Sequence, residues 1–160
     1  MIDQQILIAI AQIAITLSGF AGIVGIYSGG LDEQRRGELK TLLQQSGIAL
    51  FASLTPLIFS AQSDGNYSSG DYGLFWKTAS LIYISICTVF LILWAREAVN
   101  KRQFASFDYN AVFFMSFVGV IGMLVANVIW VSDGYLYYIA LAINLAYGFT
   151  TFFRLVTAAK

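Results

Sequence analysis

Hydrophobic residues in this chain fall into five long runs parted by polar stretches. The fourth run, Ala111 to Val131 (AVFFMSFVGVIGMLVANVIWV), is twenty-one residues long and carries no charge. A helix rises 1.5 Å per residue, so about 20 residues cover the roughly 30 Å of bilayer hydrocarbon. The run predicts a transmembrane helix, and the other four read the same way. The expected spans are about 6–27, 42–60, 74–94, 111–131 and 135–156. Together they predict an all-α integral membrane protein, a bundle of five transmembrane helices forming a single transmembrane domain over residues 1–160.

The polar stretches set the boundaries. In Ser28–Lys40 (SGGLDEQRRGELK), Gly29 and Gly30 break the first helix. Asp32 is placed to cap the second, with Glu33 in its first turn. That helix is expected to begin in water and to enter the membrane near Leu42. Pro56 cannot donate to the carbonyl of Ala52, which predicts a kink, with Ser53 or a water satisfying the freed group. Residues 61–73 (AQSDGNYSSGDYG) read as a loop. Asn66-Tyr67-Ser68 within it matches a glycosylation sequon, which in so Ser- and Asn-rich a loop reads as a chance match. Only Ser132-Asp133-Gly134 part the fourth run from the fifth, so those two helices form an antiparallel hairpin.

Charge orients the spans. Arg35, Arg36, Lys40, Arg96, Lys101, Arg102, Arg154 and Lys160 all fall on one side of a five-span chain, leaving Lys77 alone on the other. The positive-inside rule then places the N-terminus outside and the C-terminus in the cytoplasm. With one span fewer those residues could not share a side. Trp76, Trp130, Tyr135, Tyr137 and Tyr138 are expected in an outer aromatic belt, and Tyr27 and Trp94 in the inner one. Asp3, Asp64, Asp71 and Asp133 fall on outer loops. With no acid at membrane depth to continue a path, they read as solvated charges rather than a cation vestibule. The expected location is the cell membrane, as a multi-pass protein; in a prokaryote this is the inner membrane.

Composition narrows the chemistry. Of 160 residues 58% are hydrophobic and 11% charged, against roughly 25% charged in a soluble domain. Nine basic residues and zero net charge leave no nucleic-acid surface. Cys87 is the single cysteine and reads as a packing residue. The chain has no histidine, which removes the usual haem ligand, the commonest metal ligand and the most frequent general base. The opening Met1-Ile2-Asp3-Gln4-Gln5 lacks the positive region of a secretory signal, so the first run reads as a retained span. No deep ionisable residue is available for a proton relay, and no acid pair or histidine for hydrolysis. The expectation is a protein that is not an enzyme and holds no cofactor or metal.

What stands at membrane depth is neutral. Gln12, Asn127 and Asn144 are amides in the first, fourth and fifth spans, and by helical rise all three fall in the outer half of the membrane. At helical spacing Gln12 shares a face with Gln5, Thr16 and Gly19. Asn127 shares one with Ser116, Gly119 and Met123, and Asn144 one with Tyr137, Ala140, Gly148 and Thr151. Such amides either hydrogen-bond between helices or line a polar path for a small solute. Two stripes of small residues predict close helix packing: Ala14, Ser18 and Gly22 on the first span, and Ser46, Ala49, Ser53, Pro56 and Ser60 on the second. Gly119 adds a third on the fourth span. These exceed what one five-helix bundle buries, which predicts a homo-oligomer or another membrane subunit as partner.

Two functional classes follow. The first is a structural or accessory subunit that self-associates or packs against a membrane partner. The alternative is a channel or passive transporter for a small neutral solute or ion, lined by Gln12, Asn127 and Asn144 with Thr16 and Thr151. The amide chemistry favours the first.

Overall fold

The computed structural model describes residues 4–27, 33–62, 69–100 and 107–157. The sequon Asn66, the Gly29-Gly30 break, Asp32, and the charged residues Asp3, Asp64, Lys101, Arg102 and Lys160 lie outside them. Among the described residues all regular structure is helical: α1 (Gln4–Tyr27), α2 (Glu33–Gln62), α3 (Ser69–Asn100), α4 (Phe107–Ala126), a π turn (Asn127–Val131) and α5 (Gly134–Thr157). Five helical stretches are long and apolar enough to cross a membrane, Gln4–Ile26, Arg35–Ser60, Tyr72–Arg96, Phe114–Val131 and Gly134–Thr157. They correspond one to one with the five apolar runs, the pattern of a multi-pass membrane protein.

The helices outrun the apolar stretches at several ends, most of all α3. A helix closes its own backbone hydrogen bonds in water and in lipid alike, so the apolar run marks only the part suited to hydrocarbon. α2 stays helical through Pro56. The Ser53 hydroxyl donates to the carbonyl of Leu50 at 2.9 Å, not to that of Ala52.

Two compact units divide the chain. The first comprises Met1–Leu57 with Leu141–Lys160, the second Ile58–Ala140. In the first unit, Leu17 and Ala21 of α1, Leu42 of α2 and Leu155 of α5 form the core, flanked by Ile13, Val24, Leu39, Leu145 and Phe152. Contacts fix the helix directions. Arg154 Nη2 lies 3.3 Å from Glu38 Oε1. A methyl placed on Gly148 would stand 3.8 Å from Gln45 Cβ and 3.7 Å from Leu17 Cδ1. Rising numbers on α2 thus meet falling numbers on α5, and the two are antiparallel. α1 runs with α5: Leu17 meets Gly148, and Phe20 stacks on Phe152 at 5.9 Å between ring centroids.

In the second unit α3 packs on α4 and the π turn. Its centre is Trp76, with Phe75, Tyr137 and Tyr138 at centroid separations of 5.0, 5.4 and 5.5 Å. Each such aromatic pair contributes about 0.5–1.5 kcal/mol beyond its buried area. Trp76 and Tyr137 are fully buried within this unit and do not present their rings outward. The reason is local: Gly134 has no side chain, and a methyl on it would come within 2.6 Å of the Trp76 ring. Trp130 and Tyr135, 78% and 67% exposed, remain available to a belt.

Candidate functional site

The amides at helix depth take three different environments. Asn127 stands on the buried face that α4 presents with Phe117, Val120 and Leu124, not on the face of Gly119. Its Nδ2 donates to Ser80 Oγ of α3 at 3.0 Å. Its Oδ1 accepts the backbone N–H of Asp133 at 3.0 Å. Its backbone carbonyl accepts from Ser132 at 2.7 Å, closing the π turn on a left-handed residue with φ of 52°. A π turn accommodates one residue more than an α turn and bonds back across five positions. Asn127 therefore ties two helices and the start of the α4–α5 corner with one side chain. The Asp133 carboxylate accepts from the N–H of Gly134, which completes the corner.

Asn144 belongs to the first unit and is buried. The stripe expected of it holds: Tyr137, Ala140, Gly148 and Thr151 are buried as well. Opposite this stripe α2 presents Gln45, and toward the C-terminal end of α5 the Glu38–Arg154 ion pair. Glu38, Gln45, Asn144 and Thr151 are all at least nine-tenths buried. The Thr151 hydroxyl donates to the Tyr147 carbonyl within its own helix at 3.1 Å. Glu38 Oε2 and Gln45 Oε1 accept no hydrogen bond among the described residues. Burying an acceptor in this state costs about 1–3 kcal/mol.

Gln12 takes the third environment. It lies on the exposed side of α1, together with Gln5, Thr16 and Gly19. The buried side of that helix carries Leu7, Ala11, Ala14 and Leu17 instead. The Thr16 hydroxyl donates to the Gln12 carbonyl at 2.8 Å, so it is satisfied within the helix. The Gln12 carboxamide makes no hydrogen bond among the described residues. A methyl on Gly19, Gly22 or Gly119 would meet nothing within 4 Å. Of the small-residue positions, Ala14, Ser53 and Pro56 are buried and Ser18 half-buried, while Gly22 and Gly119 are exposed.

The structure thus brings Asn144 and Thr151 together in one unit, places Asn127 in the other, and leaves Gln12 and Thr16 facing outward. Glu38, Gln45 and Ser80 were not among the residues that hydropathy singled out. Glu38 sits in the charged stretch that reads as the water-exposed start of the second helix. Helical spacing did carry a signal, since Glu38 and Gln45 lie seven residues apart on the face of α2 that also carries Leu42 and Ala49. Neither a protein-family model, nor a curated protein, nor a solved structure matches this chain.

Proposed function

We propose that this chain is a five-span protein of the cell membrane, with its N-terminus outside and its C-terminus cytoplasmic, and that it serves as a structural or accessory subunit. It self-associates or packs against a membrane partner through α1. The observation that carries this reading is the exposed Gln12 carboxamide, which has no hydrogen-bond partner among the described residues. In hydrocarbon an amide without partners is costly, because lipid offers neither donor nor acceptor. A second transmembrane helix supplies both, and such bonds contribute about 0.6–2 kcal/mol. Gly19 and Gly22, open on the same helix, admit a close backbone approach. The orientation rests on the basic residues at the helix ends, and no catalytic role is assigned to any side chain.

The test is energy transfer between donor- and acceptor-labelled copies in liposomes, wild type beside Gln12→Leu, with co-purification from native membranes run in parallel. Association that Gln12→Leu weakens while the helical content stays unchanged supports the reading. Wild-type copies that neither associate nor retain a membrane partner overturn it.

A second reading has its own observation. The buried polar side chains Glu38 and Gln45 lie along one side of α2, and Asn144 and Thr151 along one side of α5, with the half-exposed Arg154 paired to Glu38 at one end. That arrangement suits a passive path for a small neutral solute. Solute and ion flux through the purified protein in liposomes, compared with Asn144→Leu, tests it. Flux that the substitution changes in a folded protein would favour transport over assembly.

A further inference from the structure

Gln45 is 2% exposed, and its Oε1 accepts no hydrogen bond among the described residues. Two turns away on the same helix, the Glu38 side chain is 8% exposed, and its Oε2 is likewise without a donor. Both atoms are acceptors, so what each lacks is a hydrogen-bond donor. The antiparallel register sets Gln45 against Gly148, where a methyl would just touch Gln45 Cβ at 3.8 Å and Leu17 Cδ1 at 3.7 Å, so α2 and α5 approach closely and no α5 side chain at this position reaches the Gln45 carboxamide. Thr151, one turn from Gly148 toward Arg154, is buried on the same helix. Its hydroxyl proton goes to the Tyr147 carbonyl.

Charge narrows what could fit. Arg154 Nη2 stands 3.3 Å from Glu38 Oε1, so the carboxylate is already neutralised. A cation entering beside Glu38 would meet the guanidinium. An anion would meet Glu38 Oε2 and Gln45 Oε1, both of which repel it. A small neutral molecule bearing O–H or N–H groups has neither problem and satisfies both oxygens in turn.

We infer that the α2–α5 seam of the first unit opens between Glu38 and Gln45 to take up a small neutral hydrogen-bond donor, of which water is the smallest. The site is separate from the Gln12 face and stands whether or not the chain self-associates. Under the transport reading it would be the point at which solute leaves the aqueous phase.

The experiment uses single cysteines in a Cys87→Ala background, in liposomes, with N-ethylmaleimide as the probe. Only the thiolate reacts, and a thiol held in a dry apolar seam does not ionise. Gln45→Cys and Thr151→Cys report the seam from its two helices. Leu43→Cys, exposed on another face of α2 at nearly the same depth, is the control. The expected result is labelling at Gln45→Cys or Thr151→Cys roughly tenfold or more faster than at Leu43→Cys, because the seam admits both the water that lets the thiol ionise and the small neutral maleimide that reacts with it. Thr151→Cys is nearly isosteric and reads the seam even where Gln45→Cys fails to fold. Silence at both seam positions overturns the inference. So does equal labelling at Leu43→Cys, which would mean that this depth is wet all round.

Discussion

Asn127 and Ser80 are joined by a buried hydrogen bond of 3.0 Å that links the π turn to α3. The same carboxamide holds the Asp133 N–H at its other end. Asn127→Leu removes both bonds and leaves the Asp133 N–H without its acceptor. The expected loss is about 1–3 kcal/mol of stability, read as an earlier thermal unfolding transition in detergent. Ser80→Ala removes only one bond and is expected to cost about 1 kcal/mol. Equal stability of Asn127→Leu and wild type would show that this side chain is not a tie.

Gly134 and Gly122 make a matched pair of substitutions. A methyl at Gly134 meets the Trp76 ring at 2.6 Å, a wide ring wedged among other aromatics, so Gly134→Ala is expected to cost about 1–3 kcal/mol by overpacking. A methyl at Gly122 meets nothing within 4 Å, and Gly122→Ala is expected to be neutral or stabilising by up to about 1 kcal/mol through helix propensity. Unfolding midpoints of the two variants should therefore move in different directions from wild type, or one should not move at all.

On the exposed side of α1 the expectation is selective. Gln12→Leu should raise the dissociation constant of the assembly by roughly 3- to 30-fold, the equivalent of about 0.6–2 kcal/mol. Thr16→Val should change it by less than about twofold, because the Thr16 hydroxyl is already bonded to the Gln12 carbonyl. A titration of energy transfer against protein-to-lipid ratio reads both. Equal effects from the two would point to nonspecific packing.

The Glu38–Arg154 pair should respond asymmetrically. The Arg154 side chain is 39% exposed and that of Glu38 8%. Glu38→Gln leaves a guanidinium that water or headgroups can still reach, and is expected to cost about 1 kcal/mol. Arg154→Met leaves a buried carboxylate alone, at about 3 kcal/mol, the low end for a broken buried pair because this one is partly solvated. Chemical denaturation of the two variants gives the order; the reverse order would mean that Glu38 is not sealed.

Much of this architecture is written in the pattern of apolar runs, because length and lack of charge leave few alternatives for a stretch such as 111–131. The inner faces of α2 and α5 were legible too. Ser46, Ala49, Ser53 and Pro56 share a face by spacing and are buried, with Ser60 at its end half-buried, and separately Tyr137, Ala140, Asn144, Gly148 and Thr151 share one and are buried. Spacing says which residues share a face but not which face is turned inward when every face is apolar. That is why Gly22 and Gly119, good packing residues by composition, stand open, and why Asn127 travels with Leu124 instead of Gly119. Glu38 escaped for a different reason. Its burial depends on Arg154, a partner at the far end of the chain that no local pattern reveals.

The first unit is assembled from both ends of the chain, and this bears on the order of events during synthesis. The second unit, Ile58–Ala140, is contiguous and has all its contacts to hand once its last residue is made. α1 and α2 precede that unit in the chain yet lack Leu155 of their core and Arg154 for Glu38 until α5 has been made. A nascent chain halted before Leu141 would hold an unpartnered carboxylate and an open apolar face.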